Sequence, residues 1–152
     1  IESGHGKDNG DEWMAKIFGD MTSRYENVNG PTDWIAKDAS VVADHAADPF
    51  NNMSPSNQLL YDLLELHDYI RSDTWAEKMR RDLPIYMISG DQDPCGNYGE
   101  GVYHAANQLI EKGNRNITVH CYTGYRHEVH NEPEIRDIVA DGIINFINTN
   151  IV

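Results

Sequence analysis

Residues 83–132 constrain the fold of this chain more than any other stretch. Ile85 to Ser89 is a short apolar run of strand type, and it ends in the acidic turn-forming loop Gly90, Asp91, Gln92, Asp93, Pro94. A second run, Ile117 to Tyr122, ends in Thr123, Gly124, Tyr125, Arg126, His127, Glu128. Between them the pattern predicts a helix over Tyr98–Lys112, with Gly113 as its C-cap. After them it predicts a helix over Glu134–Asn148, with Pro133 at its start. This is a β-α-β-α unit, and its expected geometry is parallel pairing through a right-handed crossover.

Parallel sheets carry ligand and catalytic groups in the loops beyond the carboxyl ends of their strands. Asp93 lies in one such loop, and Pro94 behind it restricts it to extended backbone. Asp91 competes for the same role, and an Asp in a turn commonly bonds its own backbone. His127 follows the next strand in the same way, among other histidines at His104, His120 and His130. Adjacent strands run about 4.8 Å apart, so Asp93 and His127 can meet. A carboxylate on Nδ1 fixes the imidazole tautomer and leaves Nε2 to take a proton from a serine. No Gly-x-Ser-x-Gly occurs in the 152 residues, and Ser3, Ser54 and Ser89 have no glycine two positions to either side, where the elbow places them.

Two other patterns carry less. His127, Glu128, Val129 and His130 stand one residue short of His-Glu-x-x-His, in a loop with no third ligand at a fixed offset, so no metal is expected there. The run Gly96, Asn97, Tyr98, Gly99, Glu100, Gly101 matches neither the dinucleotide nor the P-loop pattern. Glu100 repels phosphate, and the glycines instead let the chain turn into the next helix.

Upstream, residues 11–81 are helical in pattern. Trp13, Ile17, Met21 and Tyr25 recur every four residues along one amphipathic face. Asn29, Gly30 and Pro31 break it, and Thr32 or Asp33 caps a second helix running to about Ala47. A third helix, from about Ser56 to Arg71, is expected to bury Leu59, Leu60, Leu63, Leu64, Leu66 and Ile70. A short fourth spans Trp75 to Arg81.

Charge narrows the partners. Twelve Lys and Arg face 25 Asp and Glu, a net −13, which excludes nucleic-acid backbones and anionic membranes as partners. These residues hold no run of 18 apolar residues and no leader pattern, so no membrane span is expected within them; Ile1 to Gly4 reads as the end of a strand, which leaves room for a signal upstream. Cys95 and Cys121 read as free buried thiols of a reducing cytoplasm.

The segments 83–94, 97–102 and 122–132 together resemble bacterial α/β-hydrolases of the lysophospholipase and monoacylglycerol lipase branch, also labelled serine aminopeptidase S33-like. In that family the acid precedes a Pro-Val-Gly turn and the histidine follows Gly-x-Arg, which falls on Asp93 and His127; Cys95 stands where valine is usual. Asp33 to Asp38 and Ala47 to Phe50 resemble the family's helical cap, and Ser3 to Gly6 the exit of the sixth strand. The resemblance implies the C-terminal part of an α/β-hydrolase. Residues 1–10 end a sheet strand, 11–82 form the cap, and 83–152 form the last β-α-β-α of the core.

It further implies catalytic Asp93 and His127, no cofactor, and a small-molecule ester or lipid substrate under a lid. Trp13, Met14, Phe18, Trp34 and Leu60 are the candidate pocket lining, with plain helix packing as the competing role. The serine and the oxyanion donors are expected in a missing N-terminal half. The isolated chain is therefore expected to be inactive and to self-associate through the exposed edge of strand 85–89. The alternative is a standalone, non-catalytic acidic α/β binding module.

Overall fold

The computed structural model describes residues 10–51, 55–71 and 74–150. The expected strand tail at 1–3, its exit at Ser3 to Gly6, and Ser54 lie outside the described residues. The order is α1 (Gly10–Phe18), α2 (Ala39–Ala47), α3 (Asn57–Ile70), α4 (Thr74–Glu77), β1 (Ile85–Gly90), α5 (Glu100–Glu111), β2 (Ile117–Tyr122) and α6 (Arg136–Asn150).

β1 and β2 pair in parallel, in a register that sets Ile85 opposite Ile117 and Gly90 opposite Tyr122. Alternation along the strands gives the sheet two faces. Tyr86, Ile88 and Tyr122 share one of them, where Tyr86 stacks on Phe146 of α6 with ring centroids 5.1 Å apart. Tyr122, Tyr125, Val129, Ile135 and Val139 are buried together on this side, with Ile88 and Ile143 packed against them. α5 covers the other face. There Gly99, just before α5, lies so close to Cys121 that a Cβ would sit 3.2 Å from its Sγ. The two helices therefore sandwich the strands.

The helical half departs from its sequence reading in instructive ways. α1 stops at Phe18, because Gly19 takes a left-handed φ of +62°. Met21 and Tyr25 thus leave the expected helix face. Neither Thr32 nor Asp33 caps α2. Asp38 does, accepting from the N–H groups of Ser40 and Val41, while buried Asp33 accepts from Asn29 N–H at 2.6 Å. α3 matches its expected bounds, with the Ser56 hydroxyl accepting from Leu59 N–H.

Its burial does not match. Leu60 is 1% exposed, but Leu59, Leu63, Leu64, Leu66 and Ile70 range from 41% to 54%. α1 is its main packing neighbour, and one short helix cannot cover a stripe that wide. α4 ends early at Glu77. α5 begins two residues later than expected, since Asn97 and Tyr98 hold φ of 47° and 57°. α6 runs Arg136–Asn150, after a turn in which Glu132 accepts the N–H groups of Ile135 and Arg136. No described helix is long and apolar enough to cross a membrane.

Candidate active site

The two strand-exit loops lie directly against each other, and Gly90 is what permits it. A Cβ at position 90 would stand 2.1 Å from the Tyr125 carbonyl oxygen and 2.3 Å from that of Arg126. The loops are then laced together. Asp91 N–H donates to the Tyr122 carbonyl at 3.1 Å and Gln92 N–H to that of Tyr125 at 2.9 Å. Asp91 Oδ1 accepts from Gly124 N–H at 2.7 Å, so Asp91 is a loop fastener.

Asp93 occupies the next turn, 6% exposed. Its Oδ1 accepts from Cys95 N–H at 2.9 Å, and its Oδ2 stands 3.0 Å from His127 Nδ1. Its carbonyl accepts Tyr98 N–H at 2.8 Å. The left-handed Asn97 and Tyr98 in this loop cost about 1–3 kcal/mol each, and the carbonyl bond helps hold them.

His127 is held from the other side by the helical half. Its N–H donates to the Trp34 carbonyl at 3.3 Å, and Glu128 N–H donates to that of Ile35 at 2.8 Å. The Trp34 ring leans on the imidazole at 5.1 Å between centroids. Two charged side chains clamp the 33–38 segment in place. Arg126 Nη1 donates to the carbonyls of Asp33 (2.6 Å) and Ala36 (3.0 Å), with its guanidinium 4.2 Å above the Tyr25 ring. Glu132, 2% exposed, accepts from the backbone N–H groups of Lys37 and Asp38. Tyr25 completes the clamp by donating its hydroxyl to the Gln92 carbonyl at 2.7 Å. Burial pushes its pKa up to about 12, against the opposing charge of Arg126.

Electrostatically the pair favours an imidazolium. The hydrogen bond to Asp93, then the neighbouring Cys95, push the His127 pKa up to about 10, and partial burial opposes them. With Nδ1 committed to Asp93, Nε2 is the nitrogen left for proton exchange with a third group.

The candidate residues thus divide. Asp93 and His127 meet, and Trp34 joins them. Trp13 is half-buried on α1, Met14 and Phe18 on the same helix are 39% and 46% exposed, and Leu60 is buried in α3. His130 is exposed. A polar cleft of about 490 Å³ between α2 and the loop after β2 is lined by His45, Asp48, Glu128 and Arg136, among others, and by neither Asp93 nor His127.

The cysteines differ from their sequence reading. Cys121 is half-buried and Cys95 is exposed. Burial raises the pKa of the Cys121 thiol. Sequence reasoning also missed the roles of Arg126 and Glu132, whose partners lie about ninety residues upstream.

Comparison with known proteins adds the following. Residues 4–134 match the family described as serine aminopeptidase, S33. A highly thermostable carboxyl esterase from Bacillus coagulans, solved in complex with glycerol, is 46% identical with a TM-score of 0.86, over 93% of this chain and 46% of that one. A lipase solved in an open form is 36% identical, TM-score 0.80, over 90% and 44%. A monoacylglycerol lipase from Paleococcus ferrophilus shares the fold at 15% identity and a TM-score of 0.59, over 91% and 52%. The chain spans about half the length of these solved structures. The curated proteins offer no match.

Proposed function

The chain belongs to the S33 serine aminopeptidase family of α/β-hydrolases, and from that premise we propose that it carries the acid and the base of a serine hydrolase acting on carboxylic esters of the lysophospholipid or monoacylglycerol type. The observation that carries the reading is the 3.0 Å contact between Asp93 Oδ2 and His127 Nδ1, made from the exits of two adjacent parallel strands. Asp93 orients the imidazole and stabilises its cation. In its neutral form His127 removes the proton of a serine hydroxyl through Nε2 and returns it to the leaving alcohol. The serine and the oxyanion donors come from a segment outside these residues. Residues 11–82 are the cap, with Trp13, Met14, Phe18 and Trp34 toward the acyl group and Leu60 buried in helix packing behind them. Esterase and lipase relatives at 46% and 36% identity support the ester chemistry, and Trp34 against His127 supports a cap that reaches the reacting centre.

The test joins this chain to the N-terminal part of the Bacillus coagulans esterase, which restores a nucleophile upstream. We expect hydrolysis of p-nitrophenyl esters by the chimera and none above buffer by the 152 residues alone. In the chimera, Asp93→Asn and His127→Ala each lower kcat by about 10³–10⁴, while Asp91→Asn costs far less. A chimera more damaged at Asp91 than at Asp93 overturns the assignment. Turnover by the chain alone, with one of its own residues labelled by a fluorophosphonate, overturns the upstream nucleophile.

A further inference from the structure

The hydrolytic reading leaves the Cys95 thiol without a role, yet the thiol shares the surroundings of the base. One carboxylate oxygen of Asp93, Sγ of Cys95 and one ring nitrogen of His127 all lie within 4.8 Å of one another. Asp93 is buried, whereas Cys95 and His127 are exposed, so the three donors open to solvent on one side. We propose that Asp93, Cys95 and His127 form a site for a single thiophilic divalent cation of the zinc(II) or cobalt(II) class, and that its occupancy takes His127 out of proton transfer. The inhibitory consequence rests on the role given to His127 above; the binding does not.

Three arguments carry the proposal. The first is distance. Zinc binds thiolate at about 2.3 Å and imidazole or carboxylate at about 2.0–2.2 Å, so donors on a tetrahedral ion stand about 3.3–3.8 Å apart. The three groups are therefore about 1 Å from that arrangement, and an exposed cysteine side chain can supply the movement by rotating. The second is donor type. A sulfur, a nitrogen and an oxygen suit zinc and cobalt, whereas magnesium and calcium take oxygen ligands. The third is charge. Thiolate and carboxylate together neutralise a dication, in a chain whose net charge of −13 already concentrates cations at its surface. Three protein donors leave the fourth position open to water. On binding, the thiol proton and the proton of the ligating nitrogen leave to solvent. Metal on Nδ1, the nitrogen 3.0 Å from Asp93 Oδ2, leaves the ring's one proton on Nε2, which then has no lone pair to accept the serine proton.

The experiment uses the 152-residue chain and needs no ester. Cobalt(II) is titrated in, and the sulfur-to-cobalt charge-transfer absorption is followed. We expect the band to saturate at one equivalent, to be displaced by zinc(II) and to persist in excess magnesium. It should vanish in Cys95→Val, survive in Cys121→Val, and weaken about tenfold or more in affinity in His127→Ala. Cys95 is exposed, so Cys95→Val tests the site even where His127→Ala fails to fold. No saturable thiolate band, or a band that survives in Cys95→Val, overturns the proposal. Binding at the other histidines gives no thiolate band and counts against it equally. A second arm reads inhibition in the chimera. Zinc should inhibit it, and Cys95→Val should lose that sensitivity measured against its own metal-free rate. Cobalt binding can fail while the triad mutants behave as expected, and the reverse also holds, so the two readings fall separately.

Discussion

The halves before and after Pro84 contain similar apolar runs and treat them differently. After Pro84, β1 and β2 pair along six residues each, α5 and α6 take one sheet face apiece, and the exit loops are tied by paired backbone groups. Before it, α1 and α3 lean on each other and leave Met14, Phe18, Leu63, Leu64 and Leu66 around 40% to 54% exposed. Residues 33–38 of the helical half are anchored instead by polar groups of the other half, with Arg126 and Glu132 meeting their backbone. An apolar stripe is thus no guarantee of burial. What fixes a segment is a partner surface, or a polar group that meets its backbone.

The sharpest way to break this contrast is Gly90→Ala. Its Cβ would meet backbone oxygen at 2.1 Å, and backbone cannot swing aside as a side chain can. We expect a loss of about 3 kcal/mol or more in urea unfolding; a loss under half of that would mean the loops are not held as described.

A second test concerns the open side of β1, which among the described residues pairs with β2 alone. Two-stranded sheets are marginal alone, and an unpaired edge templates other chains. Light scattering should show association that a proline in β1 reduces. A folded monomer with slow amide exchange along Ile85–Ser89 would refute this and favour a standalone binding module.

The third prediction sharpens the tie between loops. His127 has a folded pKa of about 10 against 6.5 for the free imidazole, so it binds its proton more tightly folded than unfolded. The stability from the Asp93 pair is therefore fully present below pH 6.5 and is lost as pH rises toward 10. Imidazole titration by NMR should show the raised midpoint, and Asp93→Asn should bring it down; a midpoint near 6.5 in the unmutated chain would remove the pair as a stabilising contact. Smallest of all, Leu66→Ala on α3 should change stability by only about 0.5 kcal/mol, because its side chain is 54% exposed. A larger cost would mean that α3 is covered in solution.

Much of the half after Pro84 was legible beforehand. Each strand is an apolar run stopped by turn residues, and both signals are local. The meeting of Asp93 with His127 followed from their shared position beyond adjacent strands. The helix expected to reach Tyr25 failed because its four-residue spacing continues past Gly19, where the backbone turns left-handed. Asp33 looked like a helix cap and became a buried turn acid, since Asp38 was better placed to receive the N–H groups of Ser40 and Val41.

The sequence by itself determined the order of elements, the parallel pairing and the two loops that bear chemistry, because those depend on periodicity and on turn residues within a few positions. Position left two acids open and the family resemblance pointed to Asp93; tertiary structure is where one of them is seen to face the histidine. In it, Gly124 N–H takes up Asp91 and leaves Asp93 buried against Nδ1. It alone decided that α3 stays half uncovered, that Cys95 opens beside His127, and that Arg126 and Glu132 grip residues 33–38. Each of these outcomes is a contact between groups far apart in the chain, and a local pattern carries no information about which distant group will arrive.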